Sequence, residues 1–304
     1  MTPGVSPPAV VQADYPTARL TTVGTGGPAR WFARPTTVAE LGDVLAWAGG
    51  EALDVAVIGL GSNLLVADDG YDGVVVRLAG ELARIERAGD RVVCGGGASL
   101  AAIVKRATGW GLSGFEFGCA IPGTAGGAVR MNAGAYGGEM RDVLADALVI
   151  GPAGSRRGGP DELGMRYRRS DVAPGEVVAE AVLELRPDDP DRIRRTVSDM
   201  QRRRREAQPA KVRTFGSVWK NPDPERTAGR LLEECGLKGY AVGGARISPV
   251  HANFIENHNG ARSADVIALM REARRRAGEH GIQLEHEVQM LGPIALGMVD
   301  RQLP

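Results

Sequence analysis

Val55-Ala56-Val57-Ile58-Gly59-Leu60-Gly61-Ser62-Asn63-Leu64-Leu65 sets a short β-branched run against a glycine turn that carries a hydroxyl and an amide. Val55 to Ile58, bounded by Asp54 and Gly59, reads as a strand. The turn at its end, Gly59 to Asn63, offers successive backbone N–H groups with little side chain in the way. The Ser62 hydroxyl and Asn63 amide add donors suited to a pyrophosphate. One such turn alone can be a tight connection and nothing more. A second, Ile121-Pro122-Gly123-Thr124-Ala125-Gly126-Gly127-Ala128, has the same composition. There Pro122 gives rigidity, Gly123, Gly126 and Gly127 give close approach, and Thr124 gives a hydroxyl. Neither stretch is a GxGxxG that opens a helix or a GxxxxGK[ST], so a nucleotide held by this pair calls for an architecture other than the Rossmann or P-loop kind.

Outward from these loops, Thr21 to about Arg186 alternates strands and helices in a mixed α/β pattern. Val74 to Leu78, Arg91 to Cys94, Ala147 to Ile150 and Val177 to Leu185 read as further strands. Val38 to Trp47, after Thr36 and Thr37, and Ser99 to Thr108 read as helices. Pro187-Asp188-Asp189-Pro190-Asp191 breaks the preceding strand and starts a long helix from about Arg192 to Glu206. Beyond it come helices at about Ala228 to Cys235 and Ala264 to Ala277, the latter with Ser263 as expected cap, and a strand over Ile282 to Leu291. The expected organisation is a flexible tail over 1–20, an α/β region over 21–190 in two subdomains (about 21–80 and 81–190), and an α+β unit over 191–304.

Lys plus Arg balance Asp plus Glu at 37 each in 304 residues. No global field favours nucleic acid or an anionic membrane, so anion selectivity is expected to be local. The basic run Arg202 to Arg205 lies in the long helix and reads first as a solvated face, with contact to a substrate phosphate as the alternative. Cys94, Cys119 and Cys235 are odd in number and lack CxxC spacing, which speaks against a disulfide framework or a zinc site and suits a reducing cytoplasm. The N-terminal stretch lacks a basic leader, and no window approaches the ~20 apolar residues of a membrane span. No metal site, nucleic-acid partner, membrane insertion or obligate protein partner is expected.

Several further stretches fall in one order along the chain. They are Thr22 to Ala29, Met131-Asn132-Ala133-Gly134-Ala135-Tyr136-Gly137, Met165-Arg166-Tyr167-Arg168-Arg169-Ser170, Gly216-Ser217-Val218-Trp219-Lys220-Asn221-Pro222, Gly243 to Ile255, and Leu284-Glu285-His286-Glu287-Val288. With the two loops, this ordered set resembles the UDP-N-acetylenolpyruvoylglucosamine reductases, also called UDP-N-acetylmuramate dehydrogenases, from about Thr21 to Gly292. The resemblance implies a vanillyl-alcohol-oxidase-like (PCMH-type) FAD-binding fold of two subdomains with a C-terminal α+β substrate-binding domain. It also implies non-covalent FAD, NADPH as reductant, and UDP-N-acetylglucosamine enolpyruvate as substrate. Gly59, Gly61, Ser62, Asn63, Leu64, Pro122, Gly123, Thr124, Gly126 and Gly127 become candidate cofactor contacts. Tyr136, Lys220 and Asn221 become candidate contacts to the UDP portion.

Reduction of an enolpyruvyl ether needs hydride at one carbon, a proton at its neighbour, and relief of the negative charge that builds next to the carboxylate. The resemblance maps the acid onto Ser217 and the carboxylate-binding guanidinium onto Arg168, whose planar fork suits a carboxylate. Glu285 and Glu287, two apart, would share one face of a strand, so periodicity cannot choose between them; the resemblance selects Glu287. Thr124 stands where serine is frequent in the family, and Trp219 where phenylalanine is frequent. The short spacing of 49 positions between Arg168 and Ser217 resembles the family type without an inserted tyrosine loop. Two rival readings are an FAD oxidase of the same broad fold and a catalytically silent binding module. A histidyl flavin tether from an N-terminal loop is disfavoured, since His251, His258, His280 and His286 all lie late in the chain.

Overall fold

The computed structural model describes residues 6–223 and 225–296; positions 1–5 of the expected tail and 297–304 of the expected C-terminal unit lie outside the described residues. The chain forms two compact units. The first comprises Met1–Asp14, Trp31–Leu60 and Asp72–Arg204; the second comprises Tyr15–Arg30, Gly61–Tyr71 and Arg205–Pro304.

In the first unit, a five-stranded antiparallel sheet runs in the order Gly154–Gly158, Leu144–Gly151, Val177–Glu184, Arg91–Gly95, Ile85–Ala88. Val177–Glu184 is apolar at nearly every position because both of its faces are covered. Val177 and Ala179 join a core with Leu41, Val44 and Trp47, whereas Val178, Ala181 and Leu183 join a second with Ile103, Val104 and Phe117. The first of these cores holds helix α1 (Val38–Gly50), which Thr37 caps by accepting the Glu40 N–H. The other holds α2 (Leu100–Gly109), capped by Ser99, and the short α3 (Ala125–Arg130), capped by Thr124. The long helix α4 (Pro190–Ala207) buries only Ile193, as its many arginines require.

In the second unit, Phe215, Val218, Trp219, Leu231, Ile255, Val266 and Met270 pack one core. It lies between α5 (Ala228–Glu234), α6 (Ser263–Glu279) and an antiparallel sheet in the order Arg213–Ser217, Phe254–Asn257, Ala245–Ile247, Ala241–Val242. Leu64–Val66 pairs in parallel with Gln289–Leu291.

Three expectations change. Within the expected tail, Val11–Pro16 is a strand. Ser263 does not cap α6: its hydroxyl donates to Val66 O (2.6 Å) and accepts from the Thr25 hydroxyl (2.9 Å), while Asp68 accepts the Ser263 and Ala264 amides, both at 2.9 Å. A carboxylate there opposes the positive end of the helix dipole, which a hydroxyl cannot do. The strand expected over Ile282 to Leu291 is confined to Gln289–Leu291. Before it, the strand-like pairing found among the described residues is with residues 218–220, a single bridge between Trp219 and His286, too short a partner for a ladder.

Candidate active site

The first unit brings the start of the first glycine loop, Gly59 and Leu60, to the second loop. A Cβ built on Gly59 would lie 2.6 Å from Thr124 Oγ1, so the first loop passes against the second with no room for a side chain. Among the described residues, the amides of Gly59, Leu60, Gly123 and Thr124 donate to no protein acceptor. Amides left over by the fold on two touching loops fit the phosphates of a dinucleotide. Thr124 meanwhile accepts the Gly127 N–H (3.4 Å). An alanine at 59 must turn that hydroxyl away, so Gly59→Ala is expected to lower stability by about 1 kcal/mol, the worth of a cap. Because the two sites share one interaction, Gly59→Ala/Thr124→Ala should be scarcely less stable than Thr124→Ala alone, which thermal unfolding of the three variants checks.

Arg168 stands in a tight turn: Arg166 and Arg169 exchange both backbone hydrogen bonds at 2.9 Å, and Arg168 takes φ +56°. Its Nη2 donates to Gly134 O (3.0 Å), and its guanidinium lies 5.0 Å from the centre of the Tyr167 ring. Tyr136, in the same small-residue loop as Gly134, has φ +52° and donates its hydroxyl to Met200 O (3.1 Å). Asn132, fully buried at φ +39°, ties the two segments together. Its Nδ2 donates to Glu139 Oε2 (2.6 Å) and Arg166 O (3.2 Å), and its Oδ1 accepts the Arg141 N–H (2.9 Å). Three non-glycine residues stand in the left-handed region, a conformation that costs on the order of 1–3 kcal/mol each and persists here under the buried Asn132 bonds that tie the two segments.

In the second unit, Ser217 ends the Arg213–Ser217 strand at a register shift that begins after Thr214, where Gly216 takes φ +83°. The bulge turns the half-buried serine out of the regular pleat. Glu287 lies alongside: its N–H donates to Val218 O (2.9 Å), and Lys220 N–H donates to Glu285 O (2.8 Å). The serine and glutamate segments are therefore neighbours, although the two glutamates do not share a regular strand. Glu285 is exposed and forms an ion pair with Lys220, the expected substrate cation. Asn221 Oδ1 accepts the Ala228 N–H (3.1 Å) at the start of α5. Asn63 Nδ2 donates to Glu287 O (2.9 Å), tying the end of the first glycine loop to the glutamate, while Leu64 is buried in its strand. Sequence reading missed Asn132. Its partners lie 7, 9 and 34 positions away, so no helical or strand period marks it.

A family profile described as UDP-N-acetylenolpyruvoylglucosamine reductase, C-terminal domain, matches residues 208–291, and one described as FAD binding domain matches residues 29–157. The chain is 44% identical over 288 residues to UDP-N-acetylenolpyruvoylglucosamine reductase 2 of Symbiobacterium thermophilum, which covers 94% of this chain and 93% of that protein. The chain belongs to the UDP-N-acetylenolpyruvoylglucosamine reductase family. It is 42% identical over 281 residues to the family's protein from Paramagnetospirillum magneticum, covering 92% of this chain and 91% of the other. The crystal structure of the reductase from Thermus caldophilus aligns with a TM-score of 0.82 at 37% identity, over 93% of this chain and 99% of that one. The expected FAD-binding fold with a C-terminal α+β domain is borne out. Both glycine loops and Tyr136 fall in the FAD-domain match, and Ser217, Lys220, Asn221 and Glu287 in the reductase match. Among the described residues, no helix is long and apolar enough to cross a membrane.

Proposed function

We propose that the protein reduces UDP-N-acetylglucosamine enolpyruvate to UDP-N-acetylmuramate with NADPH, a step of peptidoglycan precursor synthesis, in the cytoplasm where both reactants are found. FAD, when bound, supplies two-electron transfer between NADPH and the substrate. The protein supplies the rest. As one alkene carbon receives hydride, negative charge builds at the neighbour conjugated with the carboxylate. Ser217 Oγ–H gives its proton to that neighbour, completing a saturated ether. The Glu287 carboxyl is the group that restores the proton to the serine. Arg168 holds the substrate carboxylate and offsets the charge. Tyr136, Lys220 and Asn221 contact the UDP portion, with Lys220 leaving its surface pair with Glu285 for a phosphate.

What carries this function is the juxtaposition of the Ser217 and Glu287 segments by the bond from Glu287 N–H to Val218 O, in a chain of this family along nearly its whole length. A binding module has no need of a serine segment tied in this way to a glutamate segment. The test is spectroscopic. Purified protein is expected to be yellow, to bleach anaerobically on addition of NADPH, and to regain its absorbance when the enolpyruvyl substrate is added. Return of colour with oxygen but not with substrate would instead select an oxidase, and a protein that takes up no FAD would end both enzyme readings.

A further inference from the structure

Residues 218–220 form a short extended segment, joined to the Glu287 segment by the single bridge at Trp219 and His286. On one edge, Val218 O and Lys220 N–H pair with Glu287 and Glu285. On the other edge, Val218 N–H donates to Asn253 O (2.9 Å), but the next rung has no backbone to meet, because the neighbouring strand begins only at Phe254 and the chain before it is turning. The Asn253 side chain supplies that rung. Trp219 N–H donates to Asn253 Oδ1 (2.9 Å) and Asn253 Nδ2 donates to Trp219 O (2.9 Å). A carboxamide carries the same donor and acceptor as a peptide, so it can close a ladder where the main chain has turned away. The amide's orientation is fixed, since Trp219 N can only donate and Trp219 O can only accept. Asn253 is 4% exposed and Trp219 2%, so neither bond has water as an alternative. The Asn253 N–H in turn donates to His251 Nδ1 (3.2 Å), which anchors the clamp in the turn that delivers it.

We propose that Asn253 is a positioning residue for the proton transfer, holding the Trp219 peptide so that Ser217, two residues earlier, keeps its place beside the Glu287 segment. Two geometric facts carry this. Ser217 pairs with Phe254, the residue after Asn253, so clamp and serine share one register. In addition, Gly216 at φ +83° removes regular strand geometry on the serine's other side, so the place of Ser217 is set from downstream, where Asn253 holds two successive residues, Val218 through its backbone oxygen and Trp219 through its side chain. The inference rests on the role proposed for Ser217.

Asn253→Leu keeps the volume and removes both hydrogen bonds; Asn253→Ala, which leaves room for water at the Trp219 peptide, serves if leucine prevents folding. The expected result has two parts. Amide exchange at Trp219, followed by mass spectrometry or NMR in both FAD-free and FAD-loaded protein, becomes faster than in the unsubstituted protein. In the loaded protein, bleaching by NADPH keeps its rate, while the return of absorbance at saturating substrate slows by roughly 10- to 100-fold, the cost of misplacing a reacting group by about 1 Å. Substrate affinity stays nearly unchanged, a split that a general loss of folding would not produce. Unchanged Trp219 exchange overturns the proposal, as does an unchanged rate of return with exchange accelerated. Ser217→Ala run in parallel separates the two levels. If that variant is slow and Asn253→Leu is not, this inference alone falls; if neither is slow, the role of Ser217 falls with it.

Discussion

Ser217→Ala is expected to leave bleaching of the flavin by NADPH at its normal rate and to slow the return of absorbance on substrate addition by roughly 10²- to 10⁴-fold, the usual worth of a positioned general acid. The split follows from where the proton is needed. Oxidation of NADPH delivers electrons and needs no acid from Ser217, whereas the substrate carbanion must be protonated before it collapses back. The fold isolates the substitution well. Ser217 is half-buried, its strand is held by Phe215 in the core before it and by Trp219 after it, and removing one hydroxyl leaves the bulge at Gly216 intact. Stopped-flow traces of the two half-reactions, measured separately, check this. Equal slowing of both would mean that the serine serves the cofactor pocket, and unaltered return would remove it from the mechanism.

Much of this was legible because the chemistry that needs it is local. The glycine loops announce themselves by composition, and the structure brings Gly59 and Thr124 into contact as two loops serving one anion would require. Helices α1, α2, α5 and α6 follow from apolar spacing, and the hydroxyl caps of the first three, Thr37, Ser99 and Thr227, are local. What was not legible acts at a distance. Asp68 caps α6 from 195 positions away, so Ser263 looked like the natural candidate. The run from Ile282 to Leu291 has strand composition throughout, yet only Gln289–Leu291 finds a continuous partner, the Leu64–Val66 strand, through a parallel pairing that no sequence period encodes. Asn253 is the extreme case. Its side chain imitates a peptide, and its role appears only when the backbone it completes is seen. The left-handed backbone at Arg168 is equally silent in the sequence, since arginine is a poor choice for such a position and gives no warning of it.

Arg168→Ala should lower kcat/KM for the enolpyruvyl substrate by roughly 10²- to 10³-fold, the cost of losing one preorganised group that stabilises developing charge, with FAD content and bleaching by NADPH unchanged. Arg168→Lys should recover only a small part, because an ammonium retains the charge but not the two parallel N–H donors that meet a carboxylate. The turn makes the interpretation cleaner than usual. Arg168 has φ +56°, and alanine in that conformation suffers the same Cβ clash, about 1–2 kcal/mol, so Arg168→Ala removes the guanidinium without relaxing the backbone. Arg168→Gly removes both. It relieves the clash but adds chain entropy to the unfolded state, worth about 0.5–1 kcal/mol, and should be at least as stable as Arg168→Ala while equally inactive. If glycine restored activity, the turn's strain and not the guanidinium would be the functional feature; if both variants lost activity in step with FAD, the bond from Arg168 to Gly134 O would be serving the cofactor domain's structure and the carboxylate role would be withdrawn. Measuring kcat/KM, FAD content and unfolding temperature on the three variants distinguishes these outcomes. The strained turn then has a physical reason: a residue that spends backbone energy to aim a planar fork is retained only where the fork's direction, and not merely its charge, sets the rate.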